Sequence, residues 1–290
     1  MSVGGGSGLA GTVVIFFGHD VSRTTRNAYR RLRATAGRRV TVKWLLDMAG
    51  SPQIPQEFRD EVITYDSRQF NQWGLSTFGP TMLPGHCHFP ILRLFQESPK
   101  IQQLWLVEYD VRFTGKWKVL FDHFASDDAD LITCHLRHHD QEPGWHWWNT
   151  LRPPEGQSLD QVQPLRAFLV VARYSAAALA KLIDYQSQGW VGHQEVIIPT
   201  LLRHAGLKVR DINDASPSHR ARRFYVSYSD QNGALEEFGT MRYRPARAHA
   251  GLRSNTLYHP VKPVSMIRAR PPVIGFLRKL AVARRMLFGR

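Results

Sequence analysis

The sequence predicts an α/β protein built on a mixed, mostly parallel sheet flanked by helices, and three observations predict it. Residues 12–17 are a continuous β-branched and aromatic run, the pattern of a strand buried on both faces. An arginine-studded helical stretch at 25–36 separates this run from a second apolar run at 40–46 and a short third at 62–65. That order is typical of parallel strands joined by crossover helices. Further strand-length apolar runs at 103–111, 129–134 and 167–172 extend the sheet, with helical patterns between and after them.

Taken in order, the first strand follows a Gly/Ser-rich lead-in (1–11) and ends at Gly18-His19-Asp20; the second ends at Asp47. Phe89, Leu92, Leu94 and Phe95 give residues 86–97 helical spacing, stopped by Ser98-Pro99. The run at 103–111 leads straight into Glu108-Tyr109-Asp110. Residues 144–149 are a tryptophan-rich loop, and the polar, proline-bearing stretch 152–164 reads as a linker or hinge. Ser175 precedes an alanine-rich run and predicts an N-capped helix over 175–188. A second helix is expected over 191–204, stopped by Ala205-Gly206. Residues 224–229 read as a strand, 257–261 as an extended piece, and 273–287 as a basic amphipathic helix.

A chain of 290 residues with 43% hydrophobic and 11% aromatic content has enough apolar material for a core and is not disordered. Two cysteines, Cys87 and Cys134, cannot form a disulfide framework or a four-thiolate zinc site. No apolar run is long enough for a membrane-spanning helix, and the N-terminus does not read as a signal peptide, so a cytoplasmic protein is expected. The net charge of +14 is segregated: residues 1–43 carry +7, 44–239 carry −5, and 240–290 carry +12 with no acid at all. Nucleic acid, an anionic membrane face and a phosphorylated small molecule all fit such a basic rim.

Three segments offer chemistry. Glu108 and Asp110 lie at the carboxyl end of a buried strand, where ligands of open α/β sheets collect. Side-chain alternation would point both the same way, and two converging carboxylates suit Mg²⁺ or Mn²⁺ with phosphate oxygens completing the shell. Glu195 falls in the first turn of a helix, where the dipole favours its ionised form, as a carboxylate base requires. His259 and Lys262 lie in a proline-stiffened extended segment, the first a candidate nitrogen ligand, the second a candidate counter-charge for a diphosphate. Trp145, Trp147 and Trp148 present flat faces suited to sugar rings or bases, or plug the loop from beneath. The histidines at 135, 138, 139 and 146 fit no standard zinc spacing.

The order of these features resembles a glycosyltransferase of the GT-A fold, a Rossmann-like mixed sheet that uses a nucleotide-diphosphate sugar. The resemblance runs over about residues 12–265. It rests on residues 12–20 as the first nucleotide-binding strand and turn, on residues 104–110 as the strand carrying an acid-x-acid motif, on Glu195, and on Leu257-Tyr258-His259-Pro260-Val261-Lys262. The first acid is Glu where the family more often has Asp. The resemblance implies a donor half (12–150) and an acceptor half (151–265) of one domain, followed by the basic tail (266–290). It implies Asp110 and His259 as ligands of Mn²⁺ or Mg²⁺. Phe17, Gly18, Asp47, Glu108 and Lys262 would contact the nucleotide sugar, and Glu195 would be the catalytic base of an inverting transfer. Trp145, Trp147, Trp148 and His193 would contact a glycan or lipid-linked acceptor. The tail helix would add attachment to the inner face of a membrane.

Two alternatives stand beside this one. A nucleotidyltransferase could share the sheet and metal site, but no Gly-rich, Lys-bearing phosphate loop follows Phe17. A non-catalytic nucleic-acid-binding protein would account for the charge, yet no zinc finger, RNA-recognition signature or helix-turn-helix is evident.

Overall fold

The computed structural model describes residues 8–159, 162–214, 223–228 and 239–268. The expected tail helix at 273–287 and most of the lead-in lie outside the described residues. Strand β1 (Ala10–Gly18) is buried on both faces from Val13 onward, so it needs strands on either side and helices above and below. It pairs in parallel with β2 (Thr41–Asp47) and β4 (Lys100–Glu108), and β2 pairs in parallel with β3 (Val62–Tyr65). β7 (Leu165–Ser175) runs antiparallel between β4 and β6 (Leu131–His138), and β8 (Val209–Asp211) lies parallel to β6 at the far edge. The order β3-β2-β1-β4-β7-β6-β8 therefore contains one reversed strand. The β4–β7 pairing joins chain from before and after residue 150 in a single sheet.

Alternation along β1 divides the core. Val14 and Phe16 face α1 (Arg23–Thr35) and α3 (Trp117–His123), packing with Tyr29, Leu32, Trp44, Trp105 and Leu120. Val13, Ile15 and Phe17 face α2 (Phe89–Glu97), α4 (Ala176–Ser187) and α5 (Gln194–His204), packing with Phe89, Leu92, Leu104, Leu179 and Ile197. Ser175 caps α4 as its sequence predicts, its Oγ accepting a hydrogen bond from the Ala178 amide (3.0 Å). Thr200 docks α5 on β7, its Oγ1 accepting from the Leu165 amide and donating to the Leu165 carbonyl.

Three expectations change. The strand expected over 103–111 leaves the sheet at Glu108, where the Val111 amide closes a turn onto the Glu108 carbonyl (3.0 Å). The helices expected from 86 and 191 start at Phe89 and Gln194. The described part of 224–229 forms isolated bridges, Tyr225 to Thr256 and Tyr228 to Met241, in place of a strand. Residues 257–261 are extended as expected: β9 (Leu257–Tyr258) pairs antiparallel with the equally short β5 (Arg112–Phe113), and His259 and Val261 form single bridges to Met241 and Arg247. Elements this short leave no periodicity to read, which is why β5, β8 and the terminal turn α6 (Val264–Arg268) carry no sequence signal. No helix among the described residues is long and apolar enough to cross a membrane.

Candidate active site

The carboxyl ends of four adjacent strands line up. Phe17 of β1 sits opposite Leu45 of β2 and Glu108 of β4, and Asp47 sits opposite Tyr65 of β3. Phe17 and Tyr65 stack nearly parallel, with ring centroids 5.8 Å apart. Asp47 Oδ1 accepts hydrogen bonds from the amides of Ala49 and Ser67 (both 3.0 Å), so this oxygen shapes the turns beyond β2 and β3.

Glu108 and Asp110 do converge, but not by strand alternation. Asp110 lies in the turn beyond β4, and Arg112 Nη1 braces that turn by donating to the Tyr109 and Val111 carbonyls (2.6 and 2.8 Å). The β5–β9 ladder then brings His259 alongside, and the Val261 amide donates to the Asp110 carbonyl (2.8 Å). His259 Nε2 is 3.3 Å from Asp110 Oδ1 and 3.9 Å from Glu108 Oε2, while Lys262 Nζ is 3.3 Å from Asp110 Oδ2. Asp110 and His259 are buried; the Glu108 and Lys262 side chains keep 24% and 30% of their surface exposed, so the cluster opens on their side.

The electrostatics of this cluster call for a cation. His259 Nδ1 lies 2.8 Å from the Arg242 carbonyl, which can only accept, so Nδ1 carries a proton and Nε2 is the nitrogen that faces the carboxylates. Asp110 Oδ1 is buried and faces His259 Nε2. Acceptors turned toward one another need positive charge between them, from a proton or a metal. The residue ionisations say the same. Burial pulls the His259 imidazole down, but Asp110 and Glu108 outweigh it and hold its pKa above the ordinary value. Burial pushes the Asp110 carboxyl up, but His259 and Lys262 overcome it and hold it below the ordinary carboxylate range. Glu108 is raised by burial and by the neighbouring Asp110 charge. One ligand atom from each of Glu108, Asp110 and His259 lies within 4.8 Å of the others, and two carboxylates with one imidazole suit a divalent cation.

Gly18 is required for this arrangement. A Cβ at this position would stand 2.7 Å from Tyr109 Cγ and 2.8 Å from its Cβ. Tyr109 in turn links Phe17, whose carbonyl accepts from its amide (2.8 Å), to the acidic turn. Gly18→Ala is therefore expected to destabilise the protein by about 1–3 kcal/mol. It should also displace Glu108 and Asp110, measured as a loss of Mn²⁺ affinity. The double variant with Tyr109→Gly, which removes every atom of that contact, should be less destabilised than the sum of the two single changes; strict additivity in urea titrations would contradict the clash.

On the other side, three segments meet at the start of α5. His193 caps the helix, its Nδ1 accepting from the Glu195 amide (3.3 Å), and its own amide donates to Thr150 Oγ1 of the tryptophan loop (2.9 Å). Burial, then His146, His86 and Arg166, push the His193 pKa down to about 3, which keeps the ring neutral. Trp147 stacks on His193 (centroids 4.5 Å, 14° between planes), and Trp145 meets the same ring edge-on at 6.0 Å. Both tryptophans are half-buried. Trp148 is a plug beneath the loop, buried, with its indole N–H donating to the Glu142 carbonyl (2.8 Å). It is buried where Trp145 and Trp147 keep part of their surface exposed.

Glu195 sits in the first turn of α5, as expected, but is not held ionised there. Burial pushes its pKa up to about 7; Arg166 and His259 counter this and Glu142 adds to it. The helix dipole favours the anion by a few tenths to about 1 kcal/mol, less than the cost of desolvation here. Arg166 is the residue the sequence reading missed. It is buried in β7, paired with buried Glu142, and its guanidinium lies 4.6 Å from the Trp145 ring. An arginine inside an apolar strand run was the available signal. It is ambiguous, because Arg173 in the same strand merely donates to the Phe124, Asp127 and Ala129 carbonyls.

Glu108, Asp110, His259 and Lys262 are thus brought together, and Phe17, Gly18 and Asp47 line the same strand ends. Glu195 lies near enough to Glu108 and His259 for the charges to act on one another. No protein-family model matches the chain, and no curated protein matches it.

Proposed function

We propose that this protein is a metal-assisted, inverting glycosyltransferase that moves a sugar from a nucleotide-diphosphate sugar to an acceptor hydroxyl. The observation that carries the proposal is the meeting of Asp110, Glu108 and His259 Nε2 beside Lys262, at the carboxyl ends of parallel strands and within electrostatic reach of Glu195. A mixed sheet with one reversed strand is compatible with the GT-A resemblance.

Asp110 and His259, with Glu108 beside them, would hold a divalent cation, which would supply positive charge where the departing diphosphate becomes more negative. Lys262 adds a second positive charge at the same place. Glu195, with a pKa near the working pH, takes the proton from the acceptor hydroxyl. The hydroxyl oxygen bonds to the anomeric carbon as the bond to the diphosphate oxygen breaks, and that electron pair leaves with the diphosphate. Attack opposite to the leaving group inverts the anomeric centre. Trp145, Trp147 and His193 form the acceptor wall, where aromatic faces meet the apolar face of a sugar. Phe17, Gly18, Tyr65 and Asp47 border the nucleoside end of the donor.

A thermal-shift screen of nucleoside diphosphates and their sugars, with and without Mn²⁺, tests the proposal. One nucleoside diphosphate is expected to raise Tm by several degrees when Mn²⁺ is present and much less with EDTA. If no nucleotide shifts Tm under either condition, the proposal fails.

A further inference from the structure

Arg31 and the loop at 252–256, far apart in the chain, both meet the turn at 113–116. Arg31, exposed on α1, spends its guanidinium on backbone carbonyls, those of Phe113, Thr114 (3.0 Å) and Gly115 (3.1 Å), and so keeps its charge. Lys116, next along that turn, is exposed. From the opposite side, Thr114 Oγ1 donates to the Arg253 carbonyl (2.6 Å), and the Thr114 amide donates to the Thr256 carbonyl (3.1 Å). Arg253 is exposed, its guanidinium over the Tyr225 ring, and Leu252 before it is fully exposed. One cation from each basic segment, Arg31 and Arg253, thus stands by residues 113–116 with Lys116, and Leu252 precedes Arg253.

We propose that Arg31, Lys116 and Arg253, arranged round Leu252, form a surface that docks the protein on an anionic lipid bilayer. Cations near such a surface gain from its negative potential, and an exposed leucine gains by leaving water for the acyl boundary. A nucleic-acid backbone would reward the same cations but offers nothing to Leu252, and this favours lipid. The turn at 113–116 belongs to the ladder in which Arg112 pairs with Tyr258, the residue before His259. Docking here would hold the Asp110–His259 cluster close to the bilayer, where a lipid-linked acceptor would lie. The docking itself does not depend on the proposed reaction.

Co-sedimentation of the full chain with phosphatidylcholine vesicles, and with vesicles containing phosphatidylglycerol, tests the surface. Binding is expected only to the anionic vesicles. Leu252→Asp and Lys116→Glu should each weaken it about tenfold. Lys181→Glu makes the same charge change as Lys116→Glu, on α4 against the opposite face of the sheet, and should weaken binding less than about twofold. The proposal is overturned by absence of binding to anionic vesicles, or by equal effects of Lys116→Glu and Lys181→Glu. It is also overturned if the chain prefers a short DNA duplex to the vesicles and Leu252→Asp leaves the duplex affinity unchanged. Each outcome is independent of whether any nucleotide sugar binds, so failure here and failure of the proposed reaction can be told apart.

Discussion

Asp110→Asn is expected to remove divalent-cation binding and with it sugar transfer. Asn matches Asp in shape, so the fold should survive, but it lacks the charge that faces His259 Nε2 and Lys262 Nζ. Mn²⁺ affinity, read by electron paramagnetic resonance or calorimetry, should fall by roughly 10²-fold or more, since even residues behind metal ligands contribute 10- to 100-fold. Transfer should fall at least as far, about 10²–10³-fold, as when a single charge-stabilising group is removed. The Asp110 pKa is depressed in the folded protein, so its ionised form stabilises the fold above the ordinary carboxylate range, and that contribution is lost as pH falls through the folded value. The stability gap between wild type and variant should therefore narrow on acidification. Near-normal Mn²⁺ affinity in the variant would refute the metal assignment.

Glu195→Gln carries the second large effect. A general base contributes about 10²–10⁴-fold, so transfer should drop by that factor while nucleotide and Mn²⁺ binding stay within about twofold. Because the Glu195 pKa is raised to about 7, the wild-type kcat/KM should climb with pH through that value and level off above it; the variant should lack this limb. Stability should move the other way. A carboxyl whose folded pKa is raised favours the fold while protonated, and that contribution is lost as pH rises through the folded value. The Gln variant should thus melt higher than wild type at pH 8 and close to it at pH 5. Transfer within tenfold of wild type would take Glu195 out of the base role.

Arg166 and Glu142 show how far such assignments depend on packing. That a helix begins near Glu195 was evident from the residue order, although it starts at Gln194 and not at 191. The protonation state was not, because it depends on what packs over the carboxyl. Arg166, His259 and Glu142, whose charges act on that carboxyl, come from separate parts of the chain. Helix position alone predicts an anion; desolvation reverses that. Trp148 makes a similar point, since three adjacent tryptophans look alike in sequence and only the Glu142 carbonyl beneath the loop selects which one is the plug.

Local pattern by itself determined the sheet. Apolar runs such as Val13–Phe17 can satisfy their backbone and bury both faces only between other strands, so the α/β class and most strand positions follow from residues adjacent in the chain. The acid pair at Glu108 and Asp110 was visible for the same reason. Tertiary structure alone decided that these acids meet His259 and Lys262. That meeting runs through β5 and β9, two residues each, which no periodicity announces and which are stable only because each supplies the other's hydrogen bonds. It also brought Arg31 and Arg253 to the turn that carries Lys116, because charge carries no instruction about its neighbours until packing places it.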